Sequence, residues 1–164
     1  MYKVNDYVMY ISTGVCQVVD IITEKQLSNS EVEYYVLEPV YNKSMVIKTP
    51  VNNQKVVMRD VITKDKALSL ISTVSDDTPD WIENDKERFQ EFKAALREGT
   101  SEAWMRIVNT LELKKEEKIV QGKRLTKVDD DTMKIAKKQL YEEFSVALGM
   151  SPEDGLTYVK KNLS

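Results

Sequence analysis

Histidine is absent from this 164-residue chain, and cysteine occurs once, as Cys16. Histidine is the commonest general base and the commonest zinc ligand, and a zinc knuckle or a redox pair needs more than one cysteine. The five glycines form neither the G-x-x-x-x-G-K-[ST] nor the G-x-G-x-x-G phosphate-binding pattern. The sequence therefore gives no support for an enzyme, and we expect no metal, no cofactor and no small-molecule substrate.

Long apolar runs are also missing. No segment approaches the roughly 20 apolar residues that a membrane span needs, and the first residues lack a basic stretch followed by an apolar run. We therefore expect a cytoplasmic protein with no membrane partner. Cys16 lies among alternating apolar residues, so we interpret it as a small buried hydrophobe rather than as a reactive thiol.

Charge is unevenly distributed along the chain, although the net charge is only −3. Residues 76–102 carry nine acidic and four basic side chains, whereas residues 106–127 carry seven basic and three acidic ones. Clustered cations suit a phosphate backbone, but Glu116 and Glu117 dilute them, so a solvated helix end remains the alternative. Any DNA binding should be weak and not sequence-specific. The basic block consists of Arg106, Lys114, Lys115, Lys118, Lys123, Arg124 and Lys127.

The first 62 residues predict a β domain. β-branched and aromatic residues concentrate in short runs separated by turn clusters, and the first turn contains Gly14, which tolerates a positive φ. Several short strands at this spacing are typical of a small barrel or a strongly bent sheet. The predicted strands span residues 7–11, 15–24, 33–40 and 44–49, with a short fifth strand over 55–58.

Near Thr63 the apolar period changes from two to about 3.6, which predicts helices in the remainder of the chain. Thr126 followed by Asp129 resembles a capping box, and Gly99 and Gly149 are typical helix ends. We expect a short helix around 67–71, a linker at 74–79, helices over 80–98, from 100 and over 126–148, and a last helix from 151. The predicted inward stripes include Phe89, Phe92 and Leu96, and Ile135, Ala136, Leu140 and Phe144.

The predicted fold class is therefore α+β. A small β-barrel at residues 1–62 is followed by a compact all-α domain at residues 63–164. Three consecutive carboxylates, Asp129, Asp130 and Asp131, lie where the long helix begins. We interpret them as first-turn acids that offset the helix macrodipole rather than as a cation site.

Trp81 follows the linker, in the predicted first turn of a helix and among acidic residues. Two interpretations remain open. Either the indole packs in the core with Phe92 and Leu96, or it stays exposed and wedges between unstacked bases. Trp104 lies within its helix stripe, and we place it in the core.

Residues 45–50 leave a similar choice open. If this strand lies at a sheet edge, its backbone can pair with a strand of a partner protein. Alternatively, the strand closes the barrel and offers no free edge. Pro50 suits an edge or a strand end, because proline has no N–H to donate to a neighbouring strand.

Four short motifs follow one another in the N-terminal region, at residues 4–10 leading to Gly14, 34–37, 46–50 and 58–61. The helical part adds Trp81, Lys86, Gly99 and the Leu125-Thr126 pair. In order and spacing, over nearly the whole length, these motifs resemble the CarD/CdnL-like RNA polymerase-binding regulators. Their N-terminal module also occurs in bacterial transcription-repair coupling factors.

The resemblance implies a Tudor-like barrel that binds the β-subunit lobe of RNA polymerase. It also implies a helical domain that contacts promoter DNA at the upstream edge of the transcription bubble, where the family tryptophan wedges at the minor groove and slows bubble collapse. By this resemblance the polymerase-binding residues are Lys25, Val46, Ile47, Lys48 and Pro50. The DNA-binding residues are Trp81 and Lys86, to which the basic block adds Lys114, Lys115, Lys118, Lys123 and Arg124.

These observations lead to one hypothesis and one alternative. The hypothesis is a non-enzymatic transcription regulator that binds the polymerase β subunit and promoter DNA and stabilises the open complex. The alternative is an adaptor on RNA polymerase that does not bind DNA and recruits another protein through the acidic residues 76–102.

Overall fold

The computed structural model describes residues 1–11, 13–72 and 80–163, so the predicted linker at 74–79 lies outside the described residues. Five strands precede five helices along the chain, and the predicted α+β class is confirmed. The strands are β1 (Tyr7–Tyr10), β2 (Gly14–Lys25), β3 (Glu31–Pro39), β4 (Ile47–Pro50) and β5 (Met58–Asp60). The helices are α1 (Lys64–Ser72), α2 (Asp85–Glu98), α3 (Ser101–Val120), α4 (Lys127–Ala147) and α5 (Pro152–Leu163).

The five strands form one antiparallel sheet in the order β4-β3-β2-β1-β5. Among the described residues β4 and β5 are the outer strands and do not pair with each other, so the sheet is open. The predicted closed barrel is not confirmed. The chain between β4 and β5 forms turns and bends instead of a strand, while its Val51 and Val56 pack against the buried face of the sheet. A register shift between Val18 and Asp20 marks a bulge in β2, and bulges of this kind bend a strand.

The sheet buries side chains on both faces, because successive residues of a strand point to opposite sides. Val8, Cys16 and Leu37 belong to a core within the sheet, whereas Met9 and Val15 belong to the core of the helices. The predicted burial of Cys16 and of Trp104 is confirmed. The helices pack directly against the sheet, and the division into two domains at residue 62 stays a prediction.

Side-chain caps determine where three helices begin. The side chains of Asn84, Thr100 and Thr126 each accept a hydrogen bond from the backbone N–H three residues further on. The predicted caps at Thr100 and Thr126 are thereby confirmed. However, α2 begins at Asp85 rather than at residue 80, because Asn84 caps it. Trp81 therefore precedes the helix instead of lying in its first turn.

Two residues of the predicted apolar stripes are exposed. Phe89 is 39% exposed and Ile135 is 50% exposed, so their predicted burial is wrong. Successive helical residues are rotated by about 100°, so adjacent residues do not face the core equally. Arg88 takes the inward position beside Phe89, and Ala136 takes the one beside Ile135. Phe92, Leu96, Leu140 and Phe144 pack in the helical core as predicted.

Candidate functional site

The outer edge of β4 is the first candidate site. Among the described residues β4 pairs only with β3, and Val51 N–H donates to Glu33 C=O at 2.9 Å just beyond the strand. Bonded and non-bonded pairs alternate in an antiparallel ladder, so Thr49 is a bonded position and the backbone N–H and C=O of Lys48 point away from β3. Pro50 has the same outward orientation, where a missing N–H breaks no ladder bond. This edge can therefore accept another strand.

The Lys48 side chain lies on the outer face of the sheet. Its Nζ is 2.5 Å from Glu24 Oε1 and 4.8 Å from the centroid of the Tyr34 ring. Lys48 and Glu24 are both exposed, and an ion pair held in solvent contributes little to stability. The ammonium group can consequently exchange Glu24 for a carboxylate of a partner at low cost.

The other predicted docking residues do not all lie at this edge. Val46 is 65% exposed and Pro50 is also exposed, so apolar surface flanks Lys48 on both sides. Ile47 is half-buried and packs against the core within the sheet, where it supports the strand more than it offers contact area. Lys25 is exposed but ends β2, and β3 separates that strand from β4.

Trp81 forms the second candidate site, where its indole contacts two cations. The Arg88 guanidinium carbon is 4.4 Å from the centroid of the Trp81 ring, and Lys114 Nζ is 4.9 Å from it. The indole is half-buried and packs against the helical core. The packing agrees with the interpretation of Trp81 as a core residue, while the wedge stays a prediction for the part of the side chain that is exposed.

Arg88 holds the segment before α2 in place. Its guanidinium donates to Asp129 at 3.0 and 2.7 Å, to Asp85 at 2.7 Å and to the Ile82 carbonyl at 2.9 Å. The hydrogen bonds with Asp129 are the main cause that raises the pKa of Arg88, so the group stays charged. The sequence did not distinguish Arg88, because it is one of four bases in the acidic segment 76–102. Its place shortly after Trp81 was the only available signal.

The acidic residues at the start of α4 are largely paired. Asp129 binds Arg88, and Asp130 Oδ2 lies 2.7 Å from Lys134 Nζ one turn later in the helix. Within the described parts of the chain, no group of three or more histidine, cysteine or acidic side chains is placed to hold a metal ion. The negative charge here is therefore smaller than the sequence suggests.

The predicted DNA-facing residues surround the end of α3 and the start of α4. Lys114 contacts Trp81, and Lys115 and Arg124 line one surface groove with Ile119 and Lys127. The turn after α3 brings two more bases together, because Lys123 N–H donates to the Lys118 carbonyl at 2.7 Å. Lys86 borders a separate groove with Thr126. Lys115, Lys118, Lys123 and Arg124 therefore lie around the turn between α3 and α4, whereas Trp81 precedes α2 and Lys86 lies in its first turn.

An open edge strand with a lysine between exposed apolar residues is suited to docking on another protein. A comparison with protein families identifies the domain that contains this strand. Residues 2–62 match the CarD-like/TRCF RID domain. This is a family of RNA polymerase-interacting domains, so the recognition made from the sequence is confirmed for the region that forms the sheet.

The match to the RID domain ends at residue 62, just before α1. The RID family consists of protein-interaction domains rather than catalytic ones, and its presence implies an interaction with RNA polymerase. No curated protein matches the chain. None of the described helices has the length and apolar character that crossing a membrane requires.

Proposed function

We propose that this chain is a transcription regulator that docks on the β subunit of RNA polymerase and contacts promoter DNA at the upstream edge of the transcription bubble. The contact with DNA stabilises the open complex. The observation that carries the proposal is the open β4 edge at Lys48, which lies inside the region that matches the RID domain. The bent, open sheet is compatible with a Tudor-like domain.

Docking on the β lobe uses the backbone as well as side chains. A strand of the partner pairs with the outward N–H and C=O groups of β4, while Val46 and Pro50 supply apolar contact. Lys48 pairs with a carboxylate of the partner, and this ion pair adds a charged contact to the apolar ones. Lys25 contributes where the partner extends across the β2–β3 hairpin.

Contact with DNA uses Trp81 together with the bases around it. Lys114 Nζ lies over the Trp81 ring, so an aromatic wedge and a phosphate-binding cation reach the duplex together. Lys86, Lys115, Lys118, Lys123 and Arg124 add phosphate contacts without reading sequence. Because Glu116 and Glu117 dilute these cations, docking on the polymerase supplies the effective concentration that weak DNA binding needs.

Stabilisation of the open complex requires that the protein bind the open promoter more tightly than the closed one. A difference of about 1.4 kcal/mol between the two affinities changes the ratio of open to closed promoter about tenfold. A wedge that fits only unstacked bases supplies such a difference, because the closed duplex offers no gap for an indole.

Two measurements with purified components test the proposal. First, the protein is incubated with core RNA polymerase and with the isolated β lobe, and recovery on an affinity resin is compared. We expect both to retain the protein, and failure of both would overturn the docking assignment. Second, the lifetime of open complexes on a promoter is measured with and without the protein. We expect a longer lifetime, and an equal one would overturn the DNA function.

A second candidate function is an adaptor that recruits another protein to the polymerase. It is favoured by Phe89, which is 39% exposed on α2, a helix that lies in the acidic segment 76–102. Crosslinking within a promoter complex separates the two functions. Crosslinks from Trp81 and Lys114 to the upstream bubble support the regulator, whereas their absence, together with protein capture through Phe89, supports the adaptor.

A further inference from the structure

Arg59, on the edge strand β5, connects the sheet to three parts of the helical region. Its Nε donates to the Gly99 carbonyl, in the turn between α2 and α3, at 2.6 Å. Its Nη1 and Nη2 donate to the two carboxylate oxygens of Glu143, on α4, at 2.6 and 2.9 Å. The guanidinium carbon also lies 5.3 Å from the centroid of the Trp104 ring, on α3.

The carboxylate of Glu143 is completely buried, with 0% exposure, and each of its oxygens accepts two hydrogen bonds. Oε1 accepts from Arg59 and from the backbone N–H of Ile62 at 3.0 Å. Oε2 accepts from Arg59 and from the hydroxyl of Ser101 at 2.8 Å. A buried carboxylate is costly unless it is paired and fully hydrogen-bonded, so these contacts depend on one another.

The same helix, α4, carries the residue that holds the Trp81 segment. Glu143 is near the end of α4 and Asp129 is in its first turn, about 20 Å apart at the rise of an α-helix. Asp129 binds Arg88, and Arg88 contacts the Trp81 ring. A continuous path of directional contacts therefore runs from the sheet through Arg59 and α4 to Trp81.

We infer that Arg59 is a positioning residue that fixes the helical region, and with it Trp81, relative to the β4 edge. A two-pronged arginine–carboxylate contact is directional and admits one relative arrangement of the groups that it joins. Its consequence for transcription rests on the proposed function. A tethered side chain acts at high effective concentration only when the geometry lets both contacts form together.

The experiment compares the wild-type chain with Arg59→Lys, which keeps the charge but loses the planar fork. Arg97→Lys, an exposed position on α2, is the matched control. Spin labels are attached to cysteines introduced at Ser28, in the β2–β3 turn, and at Gln121, after α3. Cys16 does not interfere because it is completely buried, and burial raises the pKa of its thiol to about 12.

We expect one narrow distance distribution between the labels for the wild type and Arg97→Lys, and a broadened or shifted one for Arg59→Lys. An unchanged distribution in a folded Arg59→Lys protein overturns the inference. If Arg59→Lys does not fold, the double variant Arg59→Met with Glu143→Gln removes the buried charge. The same broadening or shift is then expected, and an unchanged distribution again overturns the inference.

The functional measurement is made on polymerase–promoter complexes. Arg59→Lys should be retained by the polymerase as well as the wild type is, but its effect on open-complex lifetime should fall about tenfold as the effective concentration of Trp81 falls. An undiminished effect beside a changed distance overturns the functional part. If the wild type itself leaves the lifetime unchanged, the proposed function fails, and the distance measurement still decides the role of Arg59.

Discussion

Arg88 and Asp129 form a buried, two-pronged ion pair between α2 and the first turn of α4. The side chains are 4% and 3% exposed, and the two residues lie 41 positions apart in the sequence. Asp129 has a second contact at the start of α4, because its carboxylate also accepts a hydrogen bond from the hydroxyl of Thr126. One contact thus sets both the packing of two helices and the place of Trp81.

Removing Arg88 should destabilise the fold strongly. Arg88→Met leaves the Asp129 carboxylate buried without its partner, which costs about 3–5 kcal/mol of unfolding free energy. Arg97→Met, at an exposed position, should change it by no more than about 0.5 kcal/mol. Urea unfolding measures both values. Adding Asp129→Asn to Arg88→Met should recover part of the loss, and a fully additive double variant would contradict the coupling.

Substitution of Gly14 should be more costly than substitution of another positive-φ glycine. Gly14 has a φ of 125°, which side chains with a Cβ rarely adopt, and a Cβ added there would also have to displace the buried carboxylate of Glu142. Gly122 has a φ of 70° but no atom within 4 Å of an added Cβ. Gly122→Ala should therefore cost only the left-handed backbone strain, about 1–2 kcal/mol. Thermal and urea unfolding should show a larger loss for Gly14→Ala, and equal losses would contradict the steric argument.

Two carboxylates should affect the pH dependence of stability with opposite signs. Burial raises the pKa of Glu142 above its ordinary 4.5, so the folded chain holds this proton to a higher pH than the unfolded chain does. Its contribution to stability therefore falls as pH rises from the ordinary value through the folded one. The hydrogen bond with Lys66 lowers the pKa of Glu102, whose contribution is present above the ordinary value and is lost as pH falls through the folded one.

Glutamine substitutions isolate these two effects. Relative to wild type, Glu142→Gln should gain stability as pH rises above the ordinary value of 4.5, whereas Glu102→Gln should lose it as pH rises from below that value to above it. Urea unfolding at constant ionic strength measures both differences. Two difference curves that change in the same direction would show that one of the two assignments is wrong.

Reversing the charge at Lys48 should prevent docking on the polymerase. Lys48→Glu places a carboxylate beside Glu24 and opposite the expected acidic group of the partner, so two repulsions replace two attractions. Lys161→Glu makes the same charge change at an exposed position of α5. Recovery on immobilised core polymerase should fall to background for the first variant and stay at the wild-type level for the second. Equal recovery would remove Lys48 from the docking surface.

Truncating Trp81 should abolish the effect on the promoter without affecting docking. Trp81→Ala keeps the β4 edge and the basic block but removes the wedge, so the open-complex lifetime should return about to that of the polymerase alone. Ile135→Ala, at an exposed position of α4, is the control and should retain the full effect. Filter-binding decay after addition of competitor DNA measures the lifetimes. A full effect with Trp81→Ala would show that the tryptophan is not the wedge.

Local signals predicted much of the fold. The cap at Thr126 was predictable because the Thr126 side chain and the backbone N–H that it binds are only three residues apart in the sequence. Pro50 pointed to a strand edge for an equally local reason. The family match adds the polymerase interaction, which no pattern of apolar residues or charges could have identified.

Contacts between distant parts of the chain were not predictable in the same way. The ion pairs of Arg88 with Asp129 and of Arg59 with Glu143 join separate elements, and no spacing rule relates their positions. The start of α2 was predicted at residue 80 rather than at Asp85, because the apolar period alone does not show that the Asn84 side chain caps the helix. The openness of the sheet depends on the turns between β4 and β5, whose path follows from packing rather than from propensity.

The exposed edge of β4 has a consequence for handling the protein on its own. Unpaired strand edges are templates for a second copy of the same strand, so the feature that allows docking also invites self-association and aggregation. Three properties oppose this outcome: β4 is only four residues long, it ends in Pro50, and Lys48 would face the like charge of its copy. Without its partner the protein is therefore protected by the shortness of β4, by Pro50 and by the charge on Lys48, and neutralising Lys48 would favour aggregation.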